Sequence, residues 1–130
     1  MDRSAEWLKQ AERDLAAAEV SATAGHHNWA AFQAQQTAEK AVKALVQHLH
    51  GSVRGHAVKE ILGQLPTSVN VPASLLRAAQ ELDKIYLTSR YPNAFNSGTP
   101  SEYFDEENSR GLIGYAREIL EFCRSQIHRP

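Results

Sequence analysis

From Trp29 to Leu49 the chain runs without a glycine or a proline, and alanine recurs at positions 30, 31, 34, 38, 41 and 44. No other stretch limits the fold as much. Alanine is the strongest intrinsic helix former, and its short side chain lets a second helix approach closely. Ala34, Ala38, Ala41, Leu45 and Leu49 fall on one face, while Ala30, Ala31, Ala44 and Val46 widen the apolar girth. Glu39 and Lys43 stand four apart in the favourable order, which adds only a few tenths of a kcal/mol, about 0.3, to a helix. The segment is predicted to be a helix, and Gly51 closes it.

The rest of the chain follows the same period. Leu8, Ala11, Leu15, Ala18 and Ala22 form a stripe in a first helix, with Gly25 as its stop and His26-His27 in the connection. A shorter helix is expected from His56 or Ala57 to Leu65, where Pro66 ends it. Pro72 suits a first helical position, opening a helix through Leu75, Ala79, Leu82, Ile85 and Tyr86. A last helix begins around Asp105-Glu106-Glu107, acids placed where the macrodipole favours them, and continues through Leu112, Ala116, Ile119 and Phe122 towards Ile127. Gly111 and Gly114 inside it cost roughly 1 kcal/mol each against alanine, so close helix crossings are expected there. Val69-Asn70-Val71 alternates but is too short for a strand and meets proline at once. The reading is an all-α, up-and-down bundle of four to five helices, one domain over residues 1–130. Its expected core contains Leu8, Leu15, Phe32, Ala41, Leu45, Ile61, Leu62, Leu82, Ile119 and Phe122.

Composition removes several function classes. Fifteen acids against fourteen bases give a formal net charge of -1, which is unsuited to wrapping nucleic acid over a broad basic surface. A small basic site remains compatible with it. Cys123 is the single cysteine, so neither a disulfide nor a cysteine zinc cluster is expected. No apolar run approaches the ~18 residues of a membrane span and no signal-peptide pattern opens the chain, so a cytoplasmic protein is expected. The six histidines lack the spacings of metal ligands: His48 and His50 diverge on a helix, and His26-His27 have no partner at a recognised interval. Metal and cofactor are both expected to be absent. Nucleophile elbows, glycine-rich phosphate loops and zinc-hydrolase motifs do not occur.

Chemistry is left to one place. Arg90-Tyr91-Pro92-Asn93 separates two helical segments and precedes Asn96-Ser97-Gly98-Thr99-Pro100. A loop on a rigid scaffold is where function is usually carried. Arg90, Tyr91, Asn93 and Asn96 could converge there on a partner or a polyanion. Alternatively the run is a helix end with an arginine near the last carbonyls and a proline as the stop. His56, after Gly55, suits a capping or buried structural role as well as catalysis.

With these parts placed, the chain resembles the HEPN domain family over nearly its whole length. The resemblance rests on Trp7, Ala11, Asp14-Leu15 and Ala18, then Ala31-Phe32 and Gln35-Gln36 leading into Ala38-Glu39-Lys40-Ala41 and Lys43-Ala44-Leu45. His56 with Ile61-Leu62 follows, then Leu82-Asp83, Tyr86, Arg90-Tyr91-Pro92, and Ala116, Ile119-Leu120 and Phe122. The glutamine–alanine–glutamate–lysine run and the Arg-Tyr-Pro run are specific together.

That resemblance implies a helical bundle that commonly dimerises and is often paired with a minimal nucleotidyltransferase in a toxin–antitoxin-like or nucleotide-handling couple. It also implies that many members are metal-independent ribonucleases using an arginine followed after four to six residues by a histidine. Arginine would hold the phosphate and histidine would move protons. Counted from Arg90, the histidine places hold Phe95, Asn96 and Ser97, and none of these is an acid or base at neutral pH. Three readings follow. The first is a homodimeric nucleotide- or partner-binding module with Arg90, Tyr91, Asn93 and Asn96 at its site. The second is an RNA-cleaving toxin with a degenerate motif, using Arg90 and His56. The third is a structural helical dimer in which Arg90 pairs with an acid such as Asp83 or Asp14.

Overall fold

The protein is described by a computed structural model over residues 2–129. Six α-helices follow one another: α1 Ser4–Thr23, α2 His27–His48, α3 Val58–Leu62, α4 Ala73–Lys84, α5 Pro100–Tyr103 and α6 Glu106–Ile127. No strand is present among the described residues, and none of their helices is long and apolar enough to cross a membrane.

Helix α2 is the centre of the bundle, packed on α1 along one side and α6 along another, with α3, α4 and α5 at its remaining flanks. Its alanines explain that position. Ala30, Ala31, Ala34, Ala38, Ala41 and Ala44 are all fully buried, opposite Ala11, Ala18 and Ala22 of α1, so the helix axes can approach closely. The larger side chains Leu45, Ile61, Leu82, Ile113, Ile119 and Leu120 fill the space beyond. The turn between α1 and α2 is a Schellman closure: Gly25 adopts φ 87°, its N–H donates to Ala22 and the His26 N–H donates to Ser21. The two helices therefore run antiparallel, and Lys40 reaches back to Asp14 at 2.6 Å. Helix α6 runs antiparallel to α1 as well, with Arg117 paired to Glu19 and Arg124 to Glu12.

The structure corrects several boundaries. Helix α2 begins at His27, which lies inside the helix and not in the connection; its Nδ1 sits 2.9 Å from Ser109 Oγ on α6. Helix α3 has only five residues because Gly63 follows at once as its C-cap, and His56 stands outside it. Pro72 is the residue before α4 and not its first, with ψ 146° in the extended region. That helix stops at Lys84, and Ile85–Arg90 continue as turns. Gly111 and Gly114 mark no crossing within the chain, since a Cβ at either would meet nothing within 4 Å. Of the expected core, Leu15 and Phe122 are only partly buried against it, and Phe32 is half-buried at its edge.

Candidate functional site

Past Lys84 the chain winds in successive turns, with N–H groups of Ser89, Arg90 and Tyr91 donating to Ile85 and Leu87 carbonyls. Helix α2 anchors this winding, because the Asn28 amide donates to the Ser89 carbonyl at 3.1 Å. The turns bring Arg90 back over Tyr86, four residues earlier. Arg90 Nε and Nη2 donate to the Tyr86 carbonyl oxygen at 3.3 and 3.0 Å. Its guanidinium carbon lies 4.1 Å from the centre of the Phe32 ring and 4.9 Å from those of Tyr86 and Tyr91. Three aromatic faces thus seat one cation, an attraction of about 0.5–2 kcal/mol per face depending on desolvation. This is why Phe32 is not deep in the core: its ring serves Arg90.

No carboxylate neutralises that cation among the described residues. The pairing expected for a purely structural Arg90 is not made. Asp14 is taken by Lys40. Asp83 accepts the Val58 and Lys59 N–H groups at 2.6 and 3.1 Å, capping α3. Burial raises the Asp83 carboxyl above its ordinary value, against the lowering effect of those two N–H donors. Arg90 is half-buried, and its Nη1 edge makes no hydrogen bond among the described residues.

A second polar assembly adjoins the first. Glu39 is buried at 4% exposure on α2 and accepts from Lys43 at 2.7 Å and from Gln35 at 3.2 Å. His56 Nδ1 lies 3.2 Å from the same carboxylate. Burial opposes ionisation of Glu39, but the hydrogen bonds from Lys43, Gln35 and His56 outweigh it and hold its carboxyl below the usual range. The His56 ring stacks on Tyr86 with centroids 6.0 Å apart and planes 10° from parallel. Tyr86 is therefore shared, touched by the histidine and by the arginine. A cavity of about 410 Å³ opens here, lined by His56, Asp83, Lys84, Tyr86, Thr88 and Ala94 among others.

The remaining sequence-predicted residues divide. Tyr91 packs on Arg90, and Asn93 lines an adjoining cavity of about 390 Å³ with Leu87, Tyr91 and Ala94. Asn96 is exposed, lines neither cavity and makes no side-chain hydrogen bond among the described residues. Of the three places a motif histidine would take, Phe95 stacks on Tyr103 at 3.8 Å and Ser97 accepts the Tyr103 hydroxyl at 2.6 Å. Phe95 and Ser97 thus tie the loop to α5, and Asn96 between them is exposed. An open cleft of about 640 Å³ between α4, α5 and α6 includes neither Arg90 nor His56. No three His, Cys, Asp or Glu side chains among the described residues gather around a possible metal position. Cys123 is fully buried, and burial pushes its thiol far up, out of reach of nucleophilic chemistry.

Sequence reasoning missed Phe32 and Tyr86 as the seat of Arg90, and took Glu39–Lys43 as an ordinary helix pair. One signal was available. Gln35, Glu39 and Lys43 recur every four residues along a helix otherwise rich in alanine, and a polar stripe in a buried helix needs partners.

Known proteins share this arrangement of helices. A crystal structure from Thermus thermophilus superposes with TM-score 0.94 at 36% identity, covering 97% of this chain and 99% of that one. An archaeal HEPN homologue matches with TM-score 0.84 at 41% identity over 98% of this chain and 99% of its own. A HEPN domain protein of Thermotoga maritima matches with TM-score 0.79 at 34% identity, covering 96% and 99%. Among curated sequences, a Methanocaldococcus jannaschii protein named "Putative toxin MJ1304" is 26% identical over 128 residues, 91% of this chain and 84% of that protein. The sequence model of the HEPN domain matches residues 4–126. With an alanine-cored bundle, structural relatives of nearly equal length and a family match from end to end, the chain belongs to the HEPN domain family.

Proposed function

We propose that this HEPN domain is a binding module for a nucleotide-bearing ligand, with Arg90 as the phosphate anchor, acting with a minimal nucleotidyltransferase in a toxin–antitoxin-like pair. One observation carries the reading. The Arg90 guanidinium is immobilised by a carbonyl and three aromatic rings, yet no acid among the described residues neutralises it. A purely structural arginine of this burial would ordinarily find a carboxylate. A preorganised, uncompensated guanidinium instead suits a planar contact to phosphate. Tyr91 lies against it at 47% exposure, and Trp29, edge-on to Phe32, is 50% exposed; both are offered as platforms on which a base can stack. Asn93 and Asn96 supply amides along the same loop. The toxin–antitoxin context draws support from the name of the Methanocaldococcus jannaschii relative and from what the family resemblance implies. A homodimer belongs to the same proposal, since Val20, Trp29 and Leu87 leave apolar area exposed on different elements.

Calorimetric titration with adenosine 5′-monophosphate tests the reading. Wild type should bind, and Arg90→Ala should weaken binding by about tenfold or more, the loss of one charge-assisted contact. Equal binding by the two would remove Arg90 from the site.

One observation favours a second reading, RNA cleavage. His56 and Arg90 both touch Tyr86, so an arginine and a histidine meet one ring although they are not spaced as in the motif. Metal-independent RNA cleavage that disappears in His56→Ala would establish it, and intact RNA would dismiss it.

A further inference from the structure

His56 adds little to the packing of the bundle, unlike Glu39, which is buried and paired to Lys43. His56 lies outside α3, its side chain is 67% exposed, and its ring stacks on Tyr86. The backbone nevertheless goes to some length to present it. Gly55 adopts φ 82°, a left-handed conformation open to glycine, and a Cβ there would press against the Glu60 carboxylate at 3.1 Å. Gln35 then reaches the His56 carbonyl at 3.5 Å from the buried side. With Nδ1 held against Glu39, Nε2 is the ring atom left for a ligand.

The charges around the cavity are unequal in what they have left to offer. From α2, Glu39 is buried and already satisfied by Lys43 and Gln35. From α4, Asp83 commits both oxygens to the α3 N–H groups, and Lys84 is bonded to Glu81 at 3.0 Å but remains exposed on the cavity wall. From α3, Lys59 lies near Asp83 and Glu60 lies against Gly55. Beyond α4, Arg90 is the cation described above. Glu39 and Asp83 are thus committed to internal donors and Glu60 is exposed to solvent, while Arg90, Lys84 and a protonated His56 retain free N–H groups.

We propose that His56 is a second anion-binding residue of the site, its ring held by Glu39, that contacts a phosphate-bearing ligand from the Tyr86 cavity when the imidazole is protonated, so that occupancy is coupled to proton uptake. The inference rests on the nucleotide-binding reading of Arg90 and extends the site to His56, Lys84 and Thr88, away from Asn96. Its ligand class is a terminal phosphate monoester, whose dianion suits more than one cation. Glu39 acts through the imidazole as a positioning residue, fixing the ring and the nitrogen that carries its inner proton.

Histidine is the side chain whose charge ordinarily changes between about pH 5 and 8. Binding of adenosine 5′-monophosphate, with inorganic phosphate as a second probe, is therefore measured across that range. Relative to His56→Gln, wild-type affinity is expected to gain several-fold, on the order of tenfold, as pH falls. His56→Gln should bind weakly and keep only the dependence that comes from the ligand's own second ionisation. His56→Arg, a permanent cation, should bind tightly at every pH. Glu39→Gln should weaken binding by releasing the ring, a change of environment seen also in the ¹⁵N signals of the imidazole. Melting curves of each variant confirm folding. Wild-type binding that weakens in Arg90→Ala but is the same in wild type and His56→Gln at all pH values overturns this inference and leaves Arg90 as the anchor. No binding by wild type at any pH overturns both.

Discussion

The Arg90 guanidinium rests on a carbonyl and three aromatic rings, one of them supplied from far away in the chain. The Arg-Tyr-Pro run names the loop, whereas Phe32 comes from α2, more than fifty positions earlier. Only the tertiary fold puts that ring 4.1 Å from the guanidinium carbon. Glu39 repeats the lesson. Its i, i+4 spacing to Lys43 looked like a surface pair worth tenths of a kcal/mol, about 0.3. Buried beside Lys43, whose side chain is 13% exposed, it instead becomes a paired charge that is expensive to break. Glu39→Gln should destabilise the fold by about 3 kcal/mol, because Lys43 is left without its counter-charge. The pH dependence follows in sign. The Glu39 carboxyl lies below its ordinary value in the folded chain, so its contribution is fully present above the unfolded carboxylate value and is lost as pH falls through the folded one. Chemical denaturation from neutral to acid pH should show wild type losing stability over that window and Glu39→Gln losing less of it.

At the scale of elements, the alanine spacing located α2 because it reports directly on how near a neighbour can come. Boundaries were harder where a side chain from elsewhere decides them. Helix α3 starts where Asp83 accepts its first N–H groups, a contact twenty-five positions away that no local pattern contains. Leu45, fully buried on α2, should cost about 2–5 kcal/mol when truncated to alanine, measured by equilibrium urea unfolding. A loss under ~1 kcal/mol would place the stripe in solvent. The glycines of α6 go the other way. Gly111 is exposed and an added Cβ meets nothing, so Gly111→Ala should raise stability by about 0.5–1 kcal/mol through helix propensity alone. A destabilised variant would show that another chain presses on this face.

For the whole molecule, the bundle and the family were readable because periodicity and motif order survive without coordinates. The site was readable only in part, since it is assembled from α2, the approach to α3 and the turns beyond α4. The apolar side chains that remain exposed, Val20, Trp29 and Leu87, belong with the proposed homodimer. Sedimentation equilibrium at micromolar concentration should give twice the chain mass, and a monomer would contradict that proposal. The central claim is that Arg90 is seated for a ligand and not for the fold, and the melting temperature of Arg90→Lys with and without adenosine 5′-monophosphate tests it most directly. Lysine keeps the charge and loses the planar fork. An apo melting temperature within about 5 °C of wild type is expected, since lysine keeps a cation over the rings and gives up roughly 1 kcal/mol, with most of the ligand-induced rise gone. A large apo loss with the ligand-induced rise unchanged would make Arg90 a structural residue and contradict it.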